Sequence, residues 1–242
     1  RRCQALAVRL APYPALSAQR VAAELERLLA EDRPEAVLRR LGRAGVLRLL
    51  DPRYRFTRAA EARLARLADT LRWTAHAGLA APPLELAGLA LVADQPRAVA
   101  AAALARLALS GEPLARTLRA LDEAPELCAR LAAARARSGA ARLLRGRSAT
   151  ELAWARLAGT GEAAACVEWF AGPGRRTAPS LRGDDVLALG VARGPDVTRV
   201  LAALRDARVD GKITDRQGEI DYVRRWRSGA HAGHGPRAPE EG

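Results

Sequence analysis

Aromatic and β-branched residues are scarce in this chain. Aromatic residues make up 4% of its 242 positions, and the hydrophobic fraction of 49% is supplied mainly by alanine and leucine. Alanine and leucine favour helix strongly, whereas strands are usually rich in β-branched and aromatic residues. The composition therefore predicts an all-α fold, and the length is sufficient for one elongated unit or for two to three small ones.

Long hydrophobic runs are also missing. A membrane-spanning helix needs about 20 consecutive apolar residues, and no segment of the sequence approaches that length. The first residues do not show the charged and apolar regions of a secretory signal peptide. We therefore expect a cytoplasmic protein with no membrane partner.

Cysteine and histidine, which hold most structural zinc ions, are few and unsuitably spaced. The three cysteines, Cys3, Cys128 and Cys166, lie far apart, and an odd, scattered set is typical of reduced, buried thiols. Of the three histidines, only His76 lies in the part of the chain that we expect to fold. The sequence predicts neither a disulfide framework nor a metal site.

Lysine is nearly absent, although the chain is strongly basic. Lys212 is the one lysine among 40 basic residues, and with 27 acidic residues the formal net charge is +13. A GC-rich genome is sufficient to explain the choice of arginine over lysine, but it does not explain the excess of positive charge. Such an excess favours a polyanionic partner.

The positive charge is unevenly distributed. Residues 1–60 hold 13 basic and 6 acidic side chains, whereas residues 181–242 hold 11 and 10. One arginine-rich stretch, diluted only by Asp51, contains Arg39, Arg40, Arg43, Arg48, Arg53, Arg55 and Arg58; a second, without any acidic residue, contains Arg130, Arg135, Arg137, Arg142, Arg145 and Arg147. Solvated helix faces more often mix the two signs, so both stretches are candidate contacts for a nucleic-acid backbone.

Capping residues and prolines predict many of the helix boundaries. Ser17 precedes one helix, Pro34 opens a second that ends near Gly42, and residues 58–77 form a longer one with Arg63 and Arg66 directed away from its leucines. Further prolines, each suited to the first turn of a helix, predict a stack of short helices; they are Pro83, Pro96, Pro113 and Pro125.

The C-terminal third has its own boundary signals. We expect a break at Gly172-Pro173-Gly174. A helix then follows Gly194-Pro195, and its buried stripe consists of Val197, Val200, Leu201 and Leu204.

Two segments resemble a known enzyme family. The first runs from Arg182 to Pro195 (Arg-Gly-Asp-Asp-Val-Leu-Ala-Leu-Gly-Val-Ala-Arg-Gly-Pro) and is followed by Asp210-Gly211-Lys212-Ile213. The second, Leu16-Ser17-Ala18-Gln19-Arg20-Val21-Ala22-Ala23-Glu24-Leu25, is similar to an S-x-E-R-x-x-x-E-L helix, with Gln19 in place of the first Glu. Both resemble bacterial class II tRNA nucleotidyltransferases, which belong to the CCA-adding enzyme and poly(A) polymerase superfamily.

This resemblance implies an elongated array of short helices forming the neck, body and tail of such an enzyme. The expected segments are the end of the neck with an RNA-binding region in residues 1–60, a helical body in 61–145, a helical tail in 146–228, and a disordered C-terminus in 229–242. The family's catalytic head carries an Asp-x-Asp metal pair, and no Asp-x-Asp occurs here. We therefore expect the head to be absent, this chain to contain no catalytic residue or cofactor, and Mg²⁺ with ATP or CTP to bind the missing head.

The expected partners are tRNA and the missing head, and the expected role is to hold tRNA while nucleotides (CCA, CC or A) are added to its 3′ end. Arg20 and Glu24 correspond to the neck motif. The candidate RNA-binding residues are Arg39, Arg40, Arg43, Arg53, Arg55, Arg135, Arg137, Arg142, Arg145, Arg193 and Lys212.

Several alternatives remain open at this point. The alternation Arg53-Tyr54-Arg55-Phe56 is typical of an RNA-stacking surface, and equally of an extended segment with one buried face. Asp184 and Asp185 resemble a polymerase metal pair, but their place at a helix start favours capping. The start of the helix after Gly194-Pro195 could receive a phosphate beside Arg193, with Lys212 near in space. The whole chain could instead be a non-catalytic helical interaction or nucleic-acid-binding module.

Overall fold

The computed structural model describes residues 16–229, and in that range the chain is all-α, with helices and no strand. The all-α prediction is therefore confirmed. In chain order the helices are α1 Ala18–Leu29, α2 Pro34–Arg43, α3 Arg58–His76, α4 Pro83–Val92, α5 Arg97–Arg106, α6 Gly111–Ala132, α7 Arg137–Leu144, α8 Ala149–Ala158, α9 Glu162–Trp169, α10 Gly183–Ala188, α11 Pro195–Val209 and α12 Arg216–Arg227. Cys3 and the predicted disordered C-terminus, apart from Gly229, lie outside the described residues.

The described chain divides into two compact units. The first comprises residues up to Ala133 together with Leu144–Ala171, and the second comprises Ala134–Leu143 together with residues from Gly172 onward. Helices α8 and α9 thus pack in the first unit, although the sequence assigned them to a tail. The functional division into neck, body and tail stays a prediction.

Helix α4 lies at the centre of the first unit. Its residues from Leu84 to Val92 are all buried, and it packs against α1, α3, α5, α6 and α8. A helix that is apolar all round must be enclosed by others, which explains this position. Its one acidic residue, Glu85, is 4% exposed and is compensated by Arg116 at 2.5 Å and by the Thr150 hydroxyl at 2.6 Å.

The second unit is built on the apolar stripe of α11. Val200 and Leu204 are fully buried there, together with Val186 of α10 and Val223 of α12, while Leu201 is only half-buried. Helices α10 and α12 both pack against α11. The predicted stripe is confirmed, and its buried edge is formed by Val200 and Leu204.

Capping residues and prolines in the sequence predicted most helix starts correctly. The Ser17 hydroxyl accepts the Arg20 backbone N–H at 3.3 Å and caps α1, and Pro34 is the first residue of α2. Two predictions are wrong: Pro125 lies inside α6 rather than at a helix start, and Gly172-Pro173-Gly174 is not a break, because α9 continues through a wide helical turn at Phe170–Gly174.

The sequence predicts that Arg63 and Arg66 point away from the leucines of α3, and in the structure both side chains contact other parts of the first unit. Arg63 Nε donates to the Ala90 carbonyl at 2.9 Å, and its guanidinium pairs with Asp94. Arg66 Nη1 donates to the Gly159 carbonyl at 3.1 Å. Both side chains lie on a second packed face of α3, directed at other parts of the first unit.

Candidate nucleic-acid interface

Arg39 and Arg43 converge on a single carboxylate. They lie four residues apart on α2 and therefore share a face of that helix. Arg39 Nε and Nη2 lie 3.2 and 2.9 Å from Glu61 Oε1 on α3, and Arg43 pairs with the same oxygen. Their hydrogen bonds, that of Arg43 first, hold the pKa of the Glu61 carboxyl below its ordinary value. We call these three residues the Glu61 cluster, which carries one net positive charge.

Two exposed arginines flank the Glu61 cluster. Arg40 follows Arg39 on α2, and Arg58 lies one turn before Glu61 on α3; both are exposed. Arg43 itself remains 62% exposed despite its ion pair. The structure thus brings Arg39 and Arg43 together at Glu61, and Arg40 and Arg58 are exposed neighbours of these residues in the sequence.

The segment after the 3₁₀ turn Val46–Leu49 begins with a turn at Pro52 and Arg53, and its aromatic residues face the core. Tyr54 is 1% exposed and donates its hydroxyl to the Leu91 carbonyl at 3.0 Å. Phe56 packs against the core beside Gly42, where an added Cβ would lie 2.5 Å from its ring. The alternative of one buried face is confirmed; Tyr54 is too buried to stack on a base, and Phe56 is partly buried.

Arg53 and Arg55 are held differently within that segment. Asp51 is 6% exposed and accepts the Arg53 backbone N–H at 2.7 Å and its Nη2 at 2.9 Å, and these bonds lower the pKa of the Asp51 carboxyl. Arg55 is fixed through its backbone, which exchanges two hydrogen bonds with the Gln95 side chain, at 3.1 and 2.8 Å. Its own side chain is exposed.

The residues that resemble the neck motif do not pair with each other. Glu24 pairs with Arg27 at 2.6 Å, three residues on, and both side chains are more than 60% exposed. An exposed pair of this kind contributes about 0.3–0.5 kcal/mol. The described part of the chain therefore contains no Arg20–Glu24 brace.

Four candidate basic residues of the second unit surround the C-terminal end of α11. Asp210 accepts the Ser138 backbone N–H at 2.8 Å and the Ser138 hydroxyl at 2.9 Å, which places the start of α7 against this end. Arg142 of α7 lies 3.5 Å from Asp206, and Lys212 lies 3.6 Å from Asp210. Arg135 and Arg137 lie within three residues of Ser138 and are exposed. We call Arg135, Arg137, Arg142 and Lys212 with Asp206 and Asp210 the Asp210 cluster.

The motif Asp210-Gly211-Lys212-Ile213 forms the turn that ends α11. The Lys212 N–H donates to the Ala207 carbonyl at 2.9 Å and the Gly211 N–H to the Arg208 carbonyl at 3.0 Å, which is a Schellman arrangement. It requires a left-handed residue, and Gly211 has φ +71°. Ile213 is buried. The motif therefore presents Lys212 to solvent, 73% exposed, beside Asp210.

Arg193 is not part of the Asp210 cluster. It is exposed and precedes the first turn of α11, whereas Lys212 follows its last turn. A helix of 15 residues is about 22 Å long at 1.5 Å per residue, so the two residues lie at opposite ends. The expectation that Lys212 lies near the start of α11 is wrong.

Arg145, the remaining candidate, belongs to the first unit. It follows Leu144, the last residue of α7, and its side chain is exposed. The exposed position leaves it among the candidates for a phosphate contact.

Asp185 caps α10, as the capping interpretation predicted. Its Oδ2 accepts the Arg182 backbone N–H at 2.8 Å, and its Oδ1 accepts from Arg216 at 2.7 Å. These two bonds, the backbone one first, lower the pKa of the Asp185 carboxyl. Among residues 16–229 there is no group of three His, Cys, Asp or Glu side chains that could hold a metal ion.

Sequence reasoning missed the acidic partners of the arginines. Glu61, Asp206 and Asp210 each orient at least one candidate cation, yet none was singled out for that role. A signal was present for two of them: Asp206 and Asp210 lie in the last turn of α11 and at its end, where the helix dipole disfavours negative charge. Acidic residues at such a position indicate compensating cations nearby.

Comparison with protein-family models and with curated protein sequences found no match to this chain. Solved structures do match. The Thermotoga maritima CCA-adding enzyme complexed with tRNA superposes with a TM-score of 0.77 at 17% identity, covering 92% of this chain and 54% of that chain. CCA-adding enzyme complexes with CTP and with ATP superpose with TM-scores of 0.73 and 0.74 at 16% and 17% identity, each covering 96% of this chain and 56% of the other.

The chain has the fold of part of a CCA-adding enzyme. It spans about half the length of the CCA-adding enzymes that it matches. No helix among residues 16–229 combines the length and the apolar character needed to cross a bilayer. The family that the two sequence segments resemble is thus the one whose fold the structure shares.

Proposed function

We propose that this chain is the tRNA-binding portion of a tRNA nucleotidyltransferase that adds CCA, CC or A to tRNA 3′ ends. The observation that carries the proposal is the likeness, over 92% of this chain, to a CCA-adding enzyme complexed with tRNA. Under this proposal the protein acts in the cytoplasm together with a catalytic head. Mg²⁺ and ATP or CTP would bind that head rather than the residues described here.

The two charge clusters support an RNA partner. The Glu61 cluster and the Asp210 cluster each contain more cations than anions, and their carboxylates hold guanidinium groups in place while leaving them exposed. Pre-oriented arginines suit phosphate, which they bind through paired N–H donors. Duplex RNA is recognised mostly through its shape and phosphates, so arginine clusters without an exposed aromatic platform fit an acceptor stem better than a single strand.

Binding of tRNA and of a DNA duplex of equal length would test this proposal at stated salt concentrations. We expect tRNA to bind at least tenfold more tightly, because the cationic side chains would match the A-form geometry. Equal affinity would favour the alternative of a general nucleic-acid-binding module. Absence of binding to both would favour a helical interaction module whose arginines are only solvated surface.

A triple variant would test the Asp210 cluster in particular. Replacing Arg135, Arg137 and Arg142 with Ala should weaken tRNA binding and reduce the slope of log affinity against log salt by about 0.7–0.9 for each phosphate that is no longer neutralised. The matched control replaces three exposed arginines of the first unit, Arg72, Arg97 and Arg119, each of which pairs with a carboxylate. If both variants change the slope equally, only net charge matters and the cluster has no special role.

A transfer assay would test the assignment of catalysis to a separate head. The 242 residues contain no Asp-x-Asp pair, and two-metal nucleotidyl transfer needs carboxylates that converge on ions about 3.5–4 Å apart. We expect the chain alone to bind tRNA lacking its terminal nucleotides and to incorporate no labelled ATP or CTP in the presence of magnesium. Incorporation at the 3′ end above a protein-free blank would contradict this assignment.

A further inference from the structure

A groove of about 400 Å³ lies within the first unit between α3, α6 and α8. One face of α3 borders it with Ala59, Ala62, Arg63 and Arg66, at i, i+3, i+4 and i+7. One face of α6 borders it with the same spacing, from Leu121 through Ala124 and Pro125 to Cys128, and Trp154 and Ala158 border it from α8. Alanines occupy positions where larger side chains would close the space between the three helices.

The groove carries positive charge that its surroundings do not balance. Arg63 is compensated by Asp94, and Arg156 on α8 is compensated by Asp69 and Glu168. Arg66 has a single hydrogen bond, to the Gly159 carbonyl, and no carboxylate of residues 16–229 lies within ion-pair distance of it. Burial, then the neighbouring charges of Arg63 and Arg156, lower the pKa of Arg66. An anion near Arg66 would offset both the loss of solvation of this guanidinium group and its repulsion by the two neighbouring arginines.

The other polar groups of the groove also suit an anion. Trp154 is 3% exposed, and its indole Nε1 has no hydrogen-bond partner among the described residues, whereas a buried indole N–H usually has one. Burial raises the pKa of the Cys128 thiol, so the thiol stays neutral and would not repel negative charge. The residues that line the groove include two guanidinium groups and no carboxylate.

We propose that this groove binds a small organic carboxylate, whose charged end pairs with Arg66 and whose short apolar body lies against the alanines and Trp154. The apolar walls disfavour a bare inorganic ion, and the uncompensated guanidinium disfavours a neutral molecule. The site is distinct from the two arginine clusters and does not depend on an RNA partner.

The test titrates the full chain with hexanoate, with hexanamide as a neutral analogue of the same length, and with inorganic phosphate, each to about 20 mM. Binding is followed by the NMR signal of the Trp154 indole N–H, assigned with Trp154→Phe. We expect hexanoate to shift that signal with saturation, and hexanamide and phosphate to bind at least tenfold more weakly. Equal binding of hexanamide, equal binding of phosphate, or no saturable shift with hexanoate would each overturn the proposal.

Variants separate the charge from the shape of the groove. Arg66→Gln should weaken hexanoate binding at least tenfold, whereas Arg72→Gln, at an exposed arginine of the same helix outside the groove, should leave it unchanged. Ala62→Leu should fill the groove and abolish binding without changing any charge, and Ala65→Leu, on the exposed side of α3, is its control. Thermal melts identify a variant that fails to fold. If Arg66→Gln does not fold, the comparison of Ala62→Leu with Ala65→Leu tests the proposal. Unchanged binding in Ala62→Leu would overturn the proposal.

Discussion

Asp210 holds Ser138 by both of its carboxylate oxygens, one on the backbone N–H at 2.8 Å and one on the hydroxyl at 2.9 Å. The two residues are separated by 72 positions in the chain. This contact fixes α7 against the end of α11, and it brings Arg142 and Lys212 into one cluster. The arrangement of the candidate interface in the second unit therefore depends on a residue that contributes no positive charge.

Asp210→Ala should destabilise the second unit and weaken tRNA binding together. It leaves the two Ser138 donors without their acceptor, at a cost of about 1–3 kcal/mol, and it releases the start of α7. Denaturant unfolding and tRNA affinity measured on the same samples check this. The control is Asp221→Ala, because Asp221 is half-exposed on α12 and makes only contacts within its own helix. Equal losses in both variants would show that the Ser138 contact is not special.

Tyr54→Phe should lower stability without changing tRNA affinity. The Tyr54 hydroxyl satisfies the Leu91 carbonyl, which lies in the last turn of α4 where helix carbonyls have no intrahelical partner. Removing the hydroxyl leaves that buried carbonyl unsatisfied, at about 1–3 kcal/mol. A drop in tRNA affinity in a variant that is still fully folded would contradict the assignment of the Tyr54 hydroxyl to stability alone.

Leu204→Ala and Leu201→Ala should differ although the two residues are neighbours on the stripe of α11. Leu204 is fully buried, so truncation should cost about 2–5 kcal/mol, because it removes apolar packing and leaves a cavity. Leu201 is half-buried and should cost clearly less. Thermal melts of the two variants are the measurement. An equal shift in Tm would contradict the finding that Leu204 lies deeper in the core of the second unit than Leu201.

Glu219 should make the stability of the second unit depend on acid pH. It is fully buried, and burial alone would raise its pKa. Hydrogen bonds from Ser180 and Leu181 and the charge of Arg208 outweigh that effect and hold the pKa below the ordinary value of 4.5. Since the folded pKa is depressed, the stabilisation is complete above pH 4.5 and is lost as the pH falls through the folded pKa. Removing one partner of a buried pair costs about 3–5 kcal/mol.

Glu219→Gln is the variant that tests this dependence. Its deficit against the unmodified chain should be largest at neutral pH and should shrink below pH 4.5. Unfolding is followed by urea titration at several pH values. The control is Asp184→Asn, at an exposed residue of α10, which should differ from the unmodified chain by a small and nearly constant amount. A Glu219→Gln deficit that stayed constant with pH would contradict the proposed charge state.

Much of the fold could be predicted because its signals are local. Ser17 and Pro34 mark helix starts by chemistry that involves only the next few residues. The prediction of a helix start at Pro125 was wrong because the packing of α6 outweighs the destabilising effect of proline inside a helix. The buried residues of α6 continue past Pro125 at regular helical spacing; they are Thr117, Ala120, Ala124, Leu127 and Leu131. That unbroken stripe was the available evidence that the helix does not stop.

The candidate site was less predictable, because charge partners depend on tertiary structure. The sequence identified which stretches are rich in arginine. It could not show that Arg39 and Arg43 share Glu61, or that Arg63 is neutralised by Asp94, since each pair joins residues far apart in the sequence. The role of the arginines in RNA binding remains a prediction that the tRNA measurements test.

The chain enters the second unit twice, first with Ala134–Leu143 and again from Gly172 onward. No single proteolytic cut can therefore release that unit by itself. A cut before Gly172 removes α7 and leaves Asp210 without Ser138, and a cut before Ala134 keeps Leu144–Ala171 of the first unit attached. A separate second unit would require a circularly rearranged gene in which residues 134–143 are rejoined to the remainder by a new linker. During synthesis, α7 must likewise wait until α11 has left the ribosome before it can complete this contact, so the second unit finishes folding after all residues of the first unit have been synthesised.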